Sequence, residues 1–356
     1  MSESESELLP FLTSDLPGIG GRLKQTPEDF EVEEIPVYEP TGAGEHLFLW
    51  IEKRDVSAQY LVKILARELQ LNPRDIGVAG LKDRCAVTRQ YVSVPAKCEP
   101  LVEHFDFPGI NILQASRHEN KLKTGHLKGN RFSIVVRDGS DSAFDQALAI
   151  SQQLASTGFP NYYGSQRMGR ENETLRMGIR LLKKERVPNK YLRNKSLKRL
   201  ALSAVQSELF NRVLASRIQS ATIHIVQPGD VMQVCASGGL FVVEDVAAEQ
   251  QRFDQRETVI TGPLFGPKMK QPTQETHAQE QQILHEFGLA EESFSRLKKL
   301  TPGTRRPFLI WPEDLKIEAV DSGVKFQFTL PSGVYATTLL REFMKADDAT
   351  GTTESE

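Results

Sequence analysis

The residues with the clearest capacity for chemistry lie together in Gly80-Leu81-Lys82-Asp83-Arg84. A carboxylate set between a lysine and an arginine stays ionised, because nearby positive charge favours the anion even where partial burial opposes it. An ionised Asp is what nucleophilic catalysis on a sugar or a pyrimidine ring requires. Gly77 and Gly80 allow a tight, closely approached backbone around it. Taken alone, the pentapeptide is more often an exposed turn with ordinary surface charges. Two aromatics supply a second element. Phe30, heading the strand pattern Pro27–Glu33, and Phe328, ahead of Leu330-Pro331-Ser332-Gly333, are candidates to sandwich a flipped base, at ~1–3 kcal/mol per stacked base. Both also read as hydrophobic core, Phe328 strongly so because it alternates in phase with Val324 and Phe326. Asn130 follows a Lys128-Gly129 turn, and its amide donates and accepts, which suits a uracil edge as well as it suits a plain turn.

Other chemistries fall away. There is no Gly-x-x-x-x-Gly-Lys-Ser/Thr loop, and Gly18-Ile19-Gly20-Gly21 follows a proline rather than a strand, which argues against a nucleotide cofactor. Seven histidines and three cysteines show no His-x-x-x-His or Cys-x-x-Cys spacing, so neither a metal site nor a disulfide framework is expected. The acidic start MSESESELLPFL is unlike a targeting segment, and no apolar run approaches the roughly 20 residues of a membrane helix. A cytoplasmic protein without a membrane partner is expected, and the lack of a coiled-coil seam makes a monomer the default.

The elements that must position these groups are legible as periodicities. Residues 46–53 and 131–137 alternate as strands, while 57–70 place Leu61, Ile64, Leu65 and Leu69 on one helical face behind an N-cap at Ser57. Helical periodicity resumes over 142–154. From about 157 the composition shifts to a Gly/Pro/Asn/Tyr-rich turn, a basic stretch and an amphipathic helix through Val205, Leu209 and Val213. The Gln/Glu-rich 250–282, with a turn expected at Thr261–Gly266, reads as surface excursions. After 305 the strand signal returns at Val324, Phe326, Phe328 and Leu330, with a short helix from Ala336. This is an α/β (α+β) chain. A unit that stops near 156 and resumes near 304 implies a discontinuous domain, 1–156 with 305–356, carrying an insertion at 157–304. Residues 1–8 and 346–356 read as disordered tails.

Charge locates a partner. The net charge is −3, but seven of the 47 acids lie in the two tails, so the body is +4. Residues 161–200 hold twelve bases against three acids, a footprint suited to a phosphate backbone and also to a solvated helix face.

Eight ordered blocks, from KQTPEDFEVEE at Lys24 through AGLKDRCAVTRQ, KLKTGHLKGNRF, PNYYGSQRMG and TGPLFG to FTLPSGVYAT ending at Thr337, make the chain resemble the TruD family of tRNA pseudouridine synthases. The resemblance implies isomerisation of uridine to pseudouridine at position 13 of tRNA, without a cofactor. It implies a circularly permuted pseudouridine synthase domain on a mixed sheet, with a family-specific domain inserted at 157–304. Residue by residue, it puts the nucleophile on Asp83 and substrate contacts on Phe30, Asn130 and Phe328. The basic partner of the aspartate falls on Lys24, with Lys82 the competitor and otherwise a substrate-binding candidate. Met168 stands where the family often has an aromatic. Asp83 would act by attack at C1′, by attack at C6, or by supporting a glycal route. Two other readings are a non-catalytic RNA-binding module and an N-glycoside hydrolase pairing Asp83 with Glu33, Glu34 or Glu45.

Overall fold

The computed structural model describes residues 9–346, so the expected tails at 1–8 and 346–356 lie, but for Ala346, outside the described residues. Seven strands precede the basic stretch: β1 (Gly20–Arg22), β2 (Phe30–Pro36), β3 (His46–Arg54), β4 (Gly77–Val78), β5 (Val87–Pro95), β6 (Ile110–His118) and β7 (Leu127–Gly139). Six more come next, β8 just ahead of that stretch and the rest beyond it: β8 (Phe159–Pro160), β9 (Val231–Val234), β10 (Leu240–Val242), β11 (Thr258–Leu264), β12 (Thr304–Pro307) and β13 (Leu309–Ile310). The chain ends with β14 (Glu313–Val320) and β15 (Gly323–Pro331).

Two compact units result. Within the described residues one comprises Leu16–Gln152, Pro312–Ala336 and 343–346, and the other 9–15, Gln153–Trp311 and Thr337–Glu342. The first is built on a nine-stranded sheet in the order β14-β15-β7-β2-β5-β3-β6, with β1 on β7 and β4 on β5. Only β2 and β5 run parallel, so the sheet is mixed. Alternation makes one face apolar: Leu47, Leu49 and Ile51 of β3 and Val92 and Val94 of β5 pack on Leu61, Ile64 and Leu65 of the helix Ala58–Glu68. That helix starts where Ser57 Oγ accepts the Tyr60 N–H, so the N-cap and the i, i+3, i+4 stripe act as expected.

The second unit centres on the helix Lys195–Gln219 and the antiparallel sheet β10-β9-β11-β12. The helix Glu173–Leu182 crosses it at Gly178, where a Cβ would lie 2.1 Å from the Ala201 carbonyl oxygen, so only glycine permits the approach. Arg305 of β12 and Glu280 form a bidentate pair at 2.7 and 2.9 Å, both almost wholly buried.

One expectation fails here. The Gln/Glu-rich 250–282 is not a set of surface excursions, and Thr261-Gly262-Pro263-Leu264 is not a turn but the buried strand β11. Gly262 sits under the Phe308 ring, where a Cβ would clash at 2.2 Å. Along β11, β9 reaches only Thr258–Ile260, so Pro263 lies beyond its end and its missing N–H breaks no bond on that side.

Candidate active site

Phe30 opens β2 behind a single 3-10 turn, Pro27–Asp29. Asp29 fixes that entry: its carboxylate accepts the Thr26 N–H at 2.9 Å and two bonds from Arg137 Nε of β7, each 2.8 Å. Burial works against the ionised form, but the Arg137 and Thr26 hydrogen bonds prevail and hold the carboxyl below its usual range. Two residues ahead of that clamp, Lys24 stands in the left-handed region, φ +55°, a conformation that costs a non-glycine residue about 1 kcal/mol or more. The Lys24 ammonium lies 2.7 Å from Asp83 Oδ2 and 4.4 Å from the centre of the Phe30 ring. Lys24 is 9% exposed while the Asp83 side chain is 54% exposed, so the cation is sheltered and the carboxylate faces outward.

Asp83 lies in a segment without regular structure, tied down at four points. The Ala79 carbonyl accepts the Gly125 N–H and the Ala86 carbonyl accepts the Asp55 N–H. Cys85 Sγ donates to the Lys24 carbonyl at 3.5 Å. Lys53 Nζ donates to the Asp83 carbonyl at 2.6 Å and to the Val56 carbonyl at 2.7 Å. Lys53 is fully buried, and burial, partly offset by the Asp83 charge, pushes its pKa down to about 8. Of the two glycines, Gly77 is the one that close packing demands, since a Cβ would meet the Leu122 carbonyl oxygen at 2.3 Å. Gly80 has only Leu127 Cδ2 at 3.6 Å.

Lys82 does not pair with Asp83. Its ammonium lies 3.3 Å from Glu34 Oε2 and donates to Asn130 Oδ1. Glu34 and Asn130 are cross-strand neighbours in the β2–β7 register, so one ammonium bridges them. Burial raises the Glu34 pKa against the pull of Lys82, and burial lowers the Lys82 pKa against the pull of Glu34. Asn130 belongs to β7 rather than to a turn, because Gly129 lets β15 approach to where a Cβ would touch the Leu330 carbonyl oxygen at 2.5 Å.

These residues share one face of the sheet. A transverse row runs Lys53, Thr88, Val32, Phe132, Phe328 across β3, β5, β2, β7 and β15. Phe132 stacks on Phe328 at 5.3 Å and meets Phe30 edge-on at 6.3 Å. Phe328 is 1% exposed and Phe30 is 3% exposed, so both rings are covered here, Phe30 by Lys24. The structure thus joins Asp83 to Phe30 through Lys24, joins Lys82 to Asn130, and links Phe328 to Phe30 through Phe132. Lys53 and Phe132 were not among the expected site residues. Lys53 had a signal in the sequence: it falls in phase with Leu47, Leu49 and Ile51, where an unpaired lysine is out of place. A groove of about 430 Å³ opens among Glu31, Glu33, Arg131 and Gln327, which alternation puts on the other face, away from Asp83. Among the described residues no three His, Cys, Asp or Glu are grouped to hold a metal ion, and no helix is long and apolar enough to cross a membrane.

Of the twelve bases of 161–200, Arg170, Arg176, Arg180, Lys184, Arg186, Lys190, Arg193, Lys195 and Arg199 are exposed. Arg167 instead turns inward to donate to Ser203 and Ser207.

Comparison with known proteins covers almost the whole chain. The family model described as tRNA pseudouridine synthase D (TruD) matches residues 9–188 and 190–343. A tRNA pseudouridine synthase D of Thermus thermophilus is 42% identical over 344 residues, covering 96% of this chain and 93% of its own. One of Anaeromyxobacter dehalogenans is 41% identical over 341 residues, covering 95% and 97%. A Methanosarcina mazei structure described as a tRNA pseudouridine synthase D superposes with a TM-score of 0.75 over 95% of this chain and 96% of its own, at 24% identity, and supports the fold.

Proposed function

The chain belongs to the TruD family of tRNA pseudouridine synthases and isomerises uridine to pseudouridine in tRNA, and we propose that Asp83 is its nucleophile and uridine 13 its target. The observation that carries the assignment is the pair of a sheltered Lys24 and an outward-facing Asp83 at 2.7 Å. The cation holds the carboxylate by one oxygen and leaves the second open to a substrate. The target nucleotide leaves the RNA stack, which costs a few kcal/mol. Asp83 then assists cleavage of the C1′–N1 bond, at C1′, at C6 or through a glycal. The electron pair leaves with the uracil, which turns in place until C5 bonds to C1′; C5 then gives its proton to solvent and N1 takes one up, so the product is an isomer of the substrate. Phe30, Phe328 and Asn130 would retain the detached base, Phe30 once Lys24 shifts off its ring. Retention keeps the recombination effectively intramolecular. The residues at 157–304 are read as a family-specific insertion in a permuted catalytic domain, and the protein as a cytoplasmic monomer needing no cofactor.

The test is a map of pseudouridines in tRNA treated with the protein, with 5-tritiated uridine as label. Tritium release, pseudouridine at position 13 and no free uracil are expected. Free uracil would instead identify an N-glycoside hydrolase.

The exposed basic run is the proposed tRNA path, because structured RNA is bound largely through shape and phosphate contacts. Reversing Lys195 and Arg199 to Glu is expected to weaken tRNA binding and to flatten the dependence of log affinity on log salt by about one unit per lost phosphate contact. An unchanged affinity and slope in a filter-binding titration would return the run to a solvated face.

A further inference from the structure

The bridge from Glu34 through Lys82 to Asn130 decides which atoms of Asn130 face a substrate. An ammonium only donates, so whichever amide atom it touches must be the oxygen. Oδ1 is therefore committed to Lys82, and Nδ2 points elsewhere, making no hydrogen bond among the described residues. The commitment is firm because Lys82 and Glu34 are 6% and 1% exposed, leaving neither side chain room to reorient. Glu34 also stands directly across from Asn130 in the register, so the ammonium is held from both strands.

We propose that Glu34 and Lys82 are positioning residues that lock Asn130 as a pure hydrogen-bond donor to a carbonyl oxygen of the target pyrimidine. This rests on the active-site reading above. Free to turn, the amide would serve either the carbonyl oxygens of uracil or its N3–H; locked, it serves only O2 or O4. Directed at O4, it also meets an amine in cytosine, leaving two donors opposed and unsatisfied. The same donor has a second use. When the C1′–N1 bond breaks, the electron pair left on N1 spreads onto O2 and O4, and an N–H backed by a buried cation opposes that charge better than a neutral amide alone.

The experiment compares tRNAs carrying uridine, 2-thiouridine, 4-thiouridine or N3-methyluridine at the target position, since sulfur accepts hydrogen bonds poorly while keeping the ring. In the wild type one thio base is expected to lower kcat/KM about tenfold. In Lys82→Met the amide turns freely, and that penalty is expected to shrink to about twofold or less. The double variant Lys82→Met/Glu34→Gln, which leaves no lone buried charge, is expected to match it and guards against a folding defect in the single one. Absence of a thio penalty in the wild type, a full penalty in the folded Lys82 variants, or a dominant N3-methyl effect relieved in those variants would each overturn the proposal. Failure of the wild type on plain uridine tRNA, or turnover by Asp83→Asn, would instead overturn the active-site reading.

Discussion

Asp83→Asn is expected to lower pseudouridine formation by on the order of 10⁴-fold or more while leaving tRNA affinity nearly unchanged. The substitution keeps shape: the Asn oxygen can still accept from Lys24, so the loop tied by Lys53, Cys85, Asp55 and Gly125 has no reason to move. What disappears is the charge that would make the group a nucleophile or a base in any of the three proposed routes. Binding should persist because Asp83 is an anion facing a polyanion, and removing it relieves a small repulsion. Tritium release measures the chemical step and filter binding the association. Turnover above background in the variant would remove Asp83 from its role, and a matched loss of binding would mean that the loop had collapsed.

The sequence carried the fold where a single periodicity decided it. Leu61, Ile64 and Leu65 behind Ser57 could only be a capped amphipathic helix, and Val324, Phe326, Phe328 and Leu330 could only be a strand with one buried face. It misled where local chemistry and tertiary packing disagree. Lys128-Gly129-Asn130 has the composition of a turn, yet Gly129 is there for close approach of β15 rather than for bending. Thr261-Gly262-Pro263 likewise reads as a turn, yet Gly262 makes room for Phe308 and Pro263 lies past the end of β9. In both places glycine serves a neighbour distant in sequence, which no window of residues can reveal.

The site divides the same way. Asp83 was visible as a charged residue between glycines but not distinguishable locally from a surface turn. Whether Lys24 or Lys82 is its partner could not be read from spacing, because Lys24 is 59 residues away and adjacent Lys82 looked nearer. The geometry gives the two lysines separate tasks: Lys24 meets the carboxylate, and Lys82 turns to the sheet and to Asn130. The resemblance to a family supplied roles, and the register of β2, β7 and β15 supplies the reason those residues share one face.

Lys53→Met should separate activity from stability, which is the strongest available test of how the proposed nucleophile is held. The side chain keeps its volume and loses an ammonium that donates to the Asp83 and Val56 carbonyls. Without that tether the Asp83 backbone gains freedom, and a displacement of about 1 Å at a reacting group costs roughly 10²-fold in kcat. Folding should suffer much less at neutral pH, because burying the charge is itself unfavourable: the folded-state pKa is pushed down to about 8 from 10.5. Between those values the unfolded chain binds a proton that the folded protein has lost, so this lysine makes wild-type stability rise with pH from about 8 to 10.5, by ~3 kcal/mol in all. Met carries no such dependence. At pH 7 the relief of desolvation offsets the two carbonyls left without their donor, and the variant is expected within about 2 kcal/mol of the wild type. As the pH rises the wild type gains and the variant does not, so the gap widens against the variant. Denaturant unfolding of both proteins from pH 7 to 10.5, beside kcat at pH 7, gives the answer. A pH-independent difference in stability would show that Lys53 is not titrating there, and an unaltered kcat would show that its bond to the Asp83 carbonyl does not position the carboxylate.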